Sequence, residues 1–213
     1  MTSKDSYINH NLEYEQQVAF EREKAGHDQH NLDNFKFLYQ DDLPHGNNLD
    51  KHTFDLAVDI GSGSAWFPNY LINHRNYSKV YAIEPSQAAT DIAKKIYPDQ
   101  TKVEYIVGFA EEEISKLQLD RPTFFSTMCV LAHIPDEPVI EILKAIDKVA
   151  KVGSILSSSE PWGKEFHGDC WHIRKPEWWC EVMPDWEFEF YADYVLPEPR
   201  DVLRYKGFTA LKS

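Results

Sequence analysis

The pattern of apolar positions changes character near residue 54. Before it, hydrophobic residues are irregularly spaced. After it, short apolar runs bounded by turn residues alternate with stretches in which apolar residues recur every three or four positions, the periods of strand and helix respectively. FDLAVDI (54–60) predicts a buried strand, GSGSA (61–65) a glycine-rich turn, WFPNYLINH (66–74) a helix and KVYAIEP (79–85) a second strand. SQAATDIAKKIY (86–97) continues as a helix, with Ile92 and Ile96 on the face of Ala88 and Ala89, and VEYIVG (103–108) as a third strand. AEEEISKLQ (110–118) has helical character, TFFSTMCVL (123–131) reads as a strand, PVIEILKAIDKVA (138–150) as an amphipathic helix and SILSSSEP (154–161) as a strand. Strands alternating with helices at this spacing make βαβ units, and hence a parallel sheet with helices on both faces.

The two ends depart from that alternation. KPEWWCEVM (175–183) predicts a helix with Pro176 in its first turn, while WEFEFYADYVL (186–196) and LRYKGFTALK (203–212) are strands joined by the short PEPRD connection. A link that short makes them antiparallel. Residues 1–50 are acidic and histidine-bearing, with short helices expected at 11–24 and 31–40 before the breaker run DDLPHGNN. The expected organisation is an N-terminal helical cap or lid over 1–50 and one α/β domain over 51–213.

Composition narrows the class. Of 213 residues, 42% are hydrophobic and 27% charged, enough for a core and a solvated surface. With 22 basic against 35 acidic side chains the formal charge is −13, which repels a polyphosphate backbone, so nucleic acid is not an expected partner. No apolar run approaches the ~20 residues that span a bilayer, and MTSKDSYINHNLEYEQQ lacks the core of a secretory signal, so no membrane association and a cytoplasmic location are expected. Cys129, Cys170 and Cys180 are odd in number and form no CxxC pair, which fits reduced thiols. His167, Asp169, Cys170 and His172 match no zinc-ligand spacing, so no metal is expected.

The chemistry-bearing stretch is Val58-Asp59-Ile60-Gly61-Ser62-Gly63-Ser64-Ala65 at the end of the first strand, followed by Glu84-Pro85 at the tip of the second. Glycines after a buried strand let backbone approach a ligand, and an acid at the next strand tip can take both ribose hydroxyls of a nucleoside. A dinucleotide would want a third glycine where Trp66 stands, and Asp59 would repel phosphate but welcome an ammonium group. Ribose, ammonium and a cationic sulfur together describe S-adenosyl-L-methionine. An NAD-dependent oxidoreductase is disfavoured by Trp66.

On these residues the chain resembles the class I (Rossmann-like) S-adenosylmethionine-dependent methyltransferases, whose motif is an acid followed by G-x-G-x-G; here it reads DIGSGSA, with Ala65 in the last place. The resemblance covers roughly residues 50–213. It implies a three-layer fold around a seven-stranded, mostly parallel sheet with an antiparallel last strand, and it implies S-adenosyl-L-methionine as cofactor. It further implies that Asp59 serves the methionyl amino group directly or through water, that Gly61, Ser62 and Gly63 line the methionine moiety, and that Glu84 and Pro85 lie at the ribose. GFAEEE (108–113) falls at the family's adenine-binding turn, where Phe109 replaces a frequent acid, so adenine is expected to be held by packing, by backbone near Ala110 and by Glu111. CVLAHIPD (129–136), beginning at Cys129, corresponds to the exit of the fourth strand.

Methyl transfer from a sulfonium is an in-line displacement, so alignment and exclusion of water carry it, with a base only where the nucleophile bears a proton. Reactive groups in parallel sheets gather at the carboxyl ends of strands, which selects His133 after strand 4 and, after strand 5, His167 and His172 within EPWGKEFHGDCWHIRKPEWW (160–179). Tryptophans 162, 171, 178 and 179 are there to frame an acceptor or fill the core. The expected function is methylation of a small-molecule acceptor at oxygen, nitrogen or carbon, by a monomer or homodimer. The alternative is a protein of the same fold that binds the cofactor without turnover.

Overall fold

The computed structural model describes residues 54–162, 172–195 and 204–213. Seven strands form one sheet in the order β3-β2-β1-β4-β5-β7-β6, where β1 is Leu56–Ile60, β2 Lys79–Glu84, β3 Val103–Val107, β4 Phe124–Met128, β5 Ile155–Trp162, β6 Trp186–Val195 and β7 Arg204–Lys212. The first five pair in parallel, and β7 runs antiparallel between β5 and β6. This is the three-layer Rossmann-like architecture, with the last strand inserted against the direction of its neighbours. The expected cap, with its helices at 11–24 and 31–40, lies outside the described residues.

Because side chains alternate across a strand, the register sorts the sheet into two faces. Val58, Ile60, Phe125, Leu156 and Phe208 share one core with Val139, Ile142, Leu143 and Ile146 of α4 (Asp136–Val149) and Trp179 of α5 (Pro176–Val182). Ala57, Val80, Ala82, Phe124 and Ile155 face the other, with Trp66, Phe67 and Leu71 of α1 (Trp66–His74). Helix α4 therefore presents an apolar stripe at helical spacing, Val139, Ile142, Leu143 and Ile146. The tryptophan pair divides between core and rim: Trp179 is buried against Phe208, while Trp178 is half-buried.

Local chemistry sets the boundaries. Ser86 caps α2 (Gln87–Ile96) by accepting the Ala89 N–H at 3.2 Å. Acidic Asp136 and Glu137 open α4 and Lys148 closes it, in the sense the helix dipole favours. Two elements are shorter than the pattern predicts. AEEEISKLQ forms one α-turn, α3 (Ala110–Glu113), and then a 3-10 turn at Ile114–Lys116 that buries Ile114. The fourth strand stops at Met128 because Cys129 takes φ +57°, and the apolar residues that follow turn through a 3-10 segment at Leu131–His133.

Candidate cofactor and acceptor site

The carboxyl end of β1 turns sharply under the end of β2. Gly61 and Ser62 N–H groups both donate to the Ile83 carbonyl, at 2.9 and 3.1 Å, and Ala65 N–H closes the turn onto the Ser62 carbonyl at 2.8 Å. Alternate residues are left-handed: Gly61 at φ +68°, Gly63 at +52° and Ala65 at +57°. Gly61 also leaves no space for a side chain, since a Cβ there would lie 2.5 Å from Val130 Cγ2. The glycine-rich turn is thus clamped between the tips of β2 and β4. Ala65 adopts a conformation that suits glycine, at about 1 kcal/mol of strain, and it caps α1 without a side-chain bond.

Glu84 is 3% exposed, and both of its oxygens are engaged by backbone. Gly63 N–H donates to Oε2 and Ser86 N–H to Oε1, each at 2.8 Å, while Gly108 N–H reaches the Glu84 carbonyl at 3.2 Å. One residue therefore ties the first turn, the second turn and the exit of β3 together. Half-buried Pro85 follows it, and Phe109, Ala110 and Glu111, also half-buried, open α3 beside it.

Asp59, the penultimate residue of β1, is 4% exposed. Its carboxylate accepts a 2.5 Å hydrogen bond from the Ser126 hydroxyl, one strand across in register. Burial pushes the Asp59 carboxyl up to about 7, against the smaller downward pull of that hydroxyl. No ion pair among the described residues neutralises it. A buried acid without a cation beside a turn of backbone amides is the complement of a ligand ammonium group, so the residues present fit the cofactor that the motif implies.

On the other side of the cleft lie the exits of β4 and β5. Cys129 N–H donates to the Ser159 carbonyl at 2.8 Å, and His133 stands half-buried in the turn beyond. His172 is stitched to that turn, its N–H donating to Ala132 O at 2.7 Å. Arg174, with a side chain only 3% exposed, completes the tie. Its guanidinium donates to the Asp136 carboxylate at 2.9 Å and to the carbonyls of Leu131 at 2.7 Å, Ile134 at 2.5 Å and His172 at 3.3 Å, and it lies over Trp178 with 5.0 Å to the ring centroid. Burial and the Arg174 charge lower the His172 pKa, opposed by Asp136, so the imidazole is neutral at neutral pH. A surface hollow of about 470 Å³ is lined by Asp136, His172, Ile173, Arg174, Trp178 and others, none of them in the glycine turn.

The sequence-derived cofactor residues converge at the tips of β1, β2 and β4 and the start of α3, and His133 and His172 share a neighbouring segment. His167 and the loop tryptophan Trp171 lie outside the described residues. Ser126 and Arg174 were not anticipated. Ser126 carried a signal, a hydroxyl in the middle of a strand apolar enough to be buried, but Arg174 carried none, since its partners lie far from it in sequence.

Residues 58–157 match the family profile described as a methyltransferase domain. The fold is shared with a complex of DhpI with S-adenosylhomocysteine, at TM-score 0.63 and 14% identity over 97% of each chain. It is shared as well with a SAM-dependent methyltransferase from Anabaena variabilis, at TM-score 0.59 and 15% identity over 98% of this chain and 93% of that one. The [4+2]-cyclase SpnF is also similar, at TM-score 0.56 and 17% identity over 78% of each chain. No curated protein matches the sequence. Over the matched residues the chain is similar to a methyltransferase domain, and its strand order is that of the class I, Rossmann-like fold on which S-adenosylmethionine-dependent methyltransferases are built. The cofactor of that domain is S-adenosyl-L-methionine. Among the described residues no helix is long and apolar enough to cross a membrane.

Proposed function

We propose that this chain transfers a methyl group from S-adenosyl-L-methionine to a small-molecule acceptor in the cytoplasm. The observation that carries the reading is the pair of buried carboxylates around one glycine turn: Glu84 bound by backbone on two sides, and Asp59 bound by the Ser126 hydroxyl and, among the described residues, by no cation. Asp59 takes the ammonium end, Gly61, Ser62 and Gly63 line the methionyl chain, Glu84 and Pro85 take the ribose, and Phe109, Ala110 and Glu111 border the adenine. Bound there, the cofactor supplies a methyl group on a cationic sulfur. The chain aligns the acceptor from the β4 and β5 exits, where Cys129, His133 and His172 lie, and keeps water away from the line of attack.

A base is needed only for an acceptor that keeps its proton, and neutral His172 is suited to that role. His133 and His167 are the other candidates. The formal charge of −13 supports a small acceptor over nucleic acid. In this reading residues 1–50 serve as a cap over the cofactor and part of the acceptor site. The test is calorimetric titration with S-adenosylmethionine, S-adenosylhomocysteine and NADH, followed by an acceptor screen. Binding of both adenosyl ligands with methylated product supports the assignment. Binding without any product favours the non-catalytic alternative, and binding of NADH alone overturns both.

A further inference from the structure

We infer that Ser126 is a positioning residue of the cofactor seat, holding the Asp59 carboxyl toward the glycine turn as a proton-bearing group that gives up its proton when the cofactor's ammonium group arrives. The inference deepens the proposed function and rests on it for the identity of the ligand.

Its basis is geometric. Asp59 and Ser126 face each other in register on β1 and β4, on the face that bears Ala57, Ala82 and Phe124. At 2.5 Å the hydroxyl fixes one carboxyl oxygen, and the strand pairing fixes the hydroxyl. The same row continues in register to Ser157 on β5 and Thr209 on β7, both buried, so hydroxyls rather than charges continue from Asp59 on that side. On the other side the row continues through Ala82 on β2 to Tyr105 on β3. On that face of β2 the ionisable group beside Ala82 is Glu84, a second acid whose oxygens are engaged by Gly63 and Ser86. α1 presents Trp66, Phe67 and Leu71 to this face, and its basic residue, His74, lies in the last turn, away from the glycines.

An acid so enclosed has a hydroxyl donor but no cation among the described residues. Ionisation is therefore unfavourable until a cation is supplied. When an ammonium group takes that place, the Asp59 O–H bond breaks, its electron pair stays on the oxygen, the proton leaves to solvent and an N–H···O bond forms. No other reactant is required.

The test is titration of the full chain with S-adenosylhomocysteine in buffers of different ionisation enthalpy, beside 5′-methylthioadenosine, which keeps the adenine and ribose but has no amino group. Near pH 6, where an α-amino group is fully charged, about one proton should be released on binding S-adenosylhomocysteine and none on binding 5′-methylthioadenosine. Ser126→Ala should weaken S-adenosylhomocysteine about tenfold near pH 7 while leaving 5′-methylthioadenosine within about twofold, and Ser126→Thr should restore it. Asp59→Asn, an isostere, should abolish the proton release. Binding of S-adenosylhomocysteine with no proton released, or equal release with both ligands, overturns the inference while the cofactor assignment stands. Failure of folded protein to bind either ligand removes the assignment and the inference together.

Discussion

Ala65 shows how a single backbone angle separates motif from conformation. The turn needs left-handed residues at 61, 63 and 65, and the first two are glycines. Ala65→Gly should therefore stabilise the protein by up to ~1 kcal/mol, the relief of strain outweighing the added freedom of the unfolded chain, with a valine there destabilising by more than that. Urea unfolding of the three proteins measures it, and a glycine variant less stable than the parent would contradict the assigned strain. Asp59 makes a second prediction at the same scale. Its folded pKa of about 7 lies above the unfolded 3.8, so between those values the native state binds the extra proton and stability falls as pH rises. The contribution is present below about pH 4, lost progressively to about pH 7, and on the order of 4 kcal/mol in full. The ligand-free protein compared with Asp59→Asn across that range should show this slope only with aspartate in place.

Elements were legible where period and packing agree. WFPNYLINH is helical over its whole predicted length, and KVYAIE, VEYIV and SILSSSEP fall within about a residue of their strands, because each is an apolar run bounded by turn residues. The exit of β4 was not legible in that way. MCVL is as apolar as the strand before it, and hydrophobicity reports burial, not the positive φ at Cys129 that ends the pairing. The turn proposed for the cofactor was readable as a piece of structure because its glycines and the strand-tip acid are close in sequence to the strands that present them. The segment proposed for the acceptor depends on contacts between residues 38 to 43 apart, such as Arg174 with Asp136 and Leu131, and spacing encodes none of them. Replacing Arg174 by methionine takes a donor from the carbonyls of Leu131, Ile134 and His172 and from the Asp136 carboxylate, with Leu131 keeping the Ile134 N–H, a loss of ~2–4 kcal/mol. It also removes the positive charge beside His172. The imidazole should then titrate at higher pH, followed by NMR, while Asp136→Asn should move it lower; an unmoved midpoint in both variants would sever the link between the clamp and His172.

Across the whole molecule, strand order and charge set what can be reached. The order β3-β2-β1-β4-β5-β7-β6 reverses direction between β1 and β4, and in open parallel sheets the crevice at that reversal is where ligands bind. Asp59, Glu84 and Val130 all stand around it. The acidic surface has an equally direct consequence: at near-physiological salt the protein should not shift duplex DNA or structured RNA in a gel, and a salt-dependent complex with either would redirect the search for the acceptor. The late insertion of β7 bears on how the molecule is made. β6 precedes β7 along the chain yet touches the rest of the sheet only through it, pairing Trp186 with Lys212 and Phe188 with Ala210. During synthesis β5 and β6 therefore emerge as two unpaired edges, separated by a gap the width of one strand, and wait for the strand that joins them. Until β7 docks, those borders stay open to pairing with other chains and to chaperones.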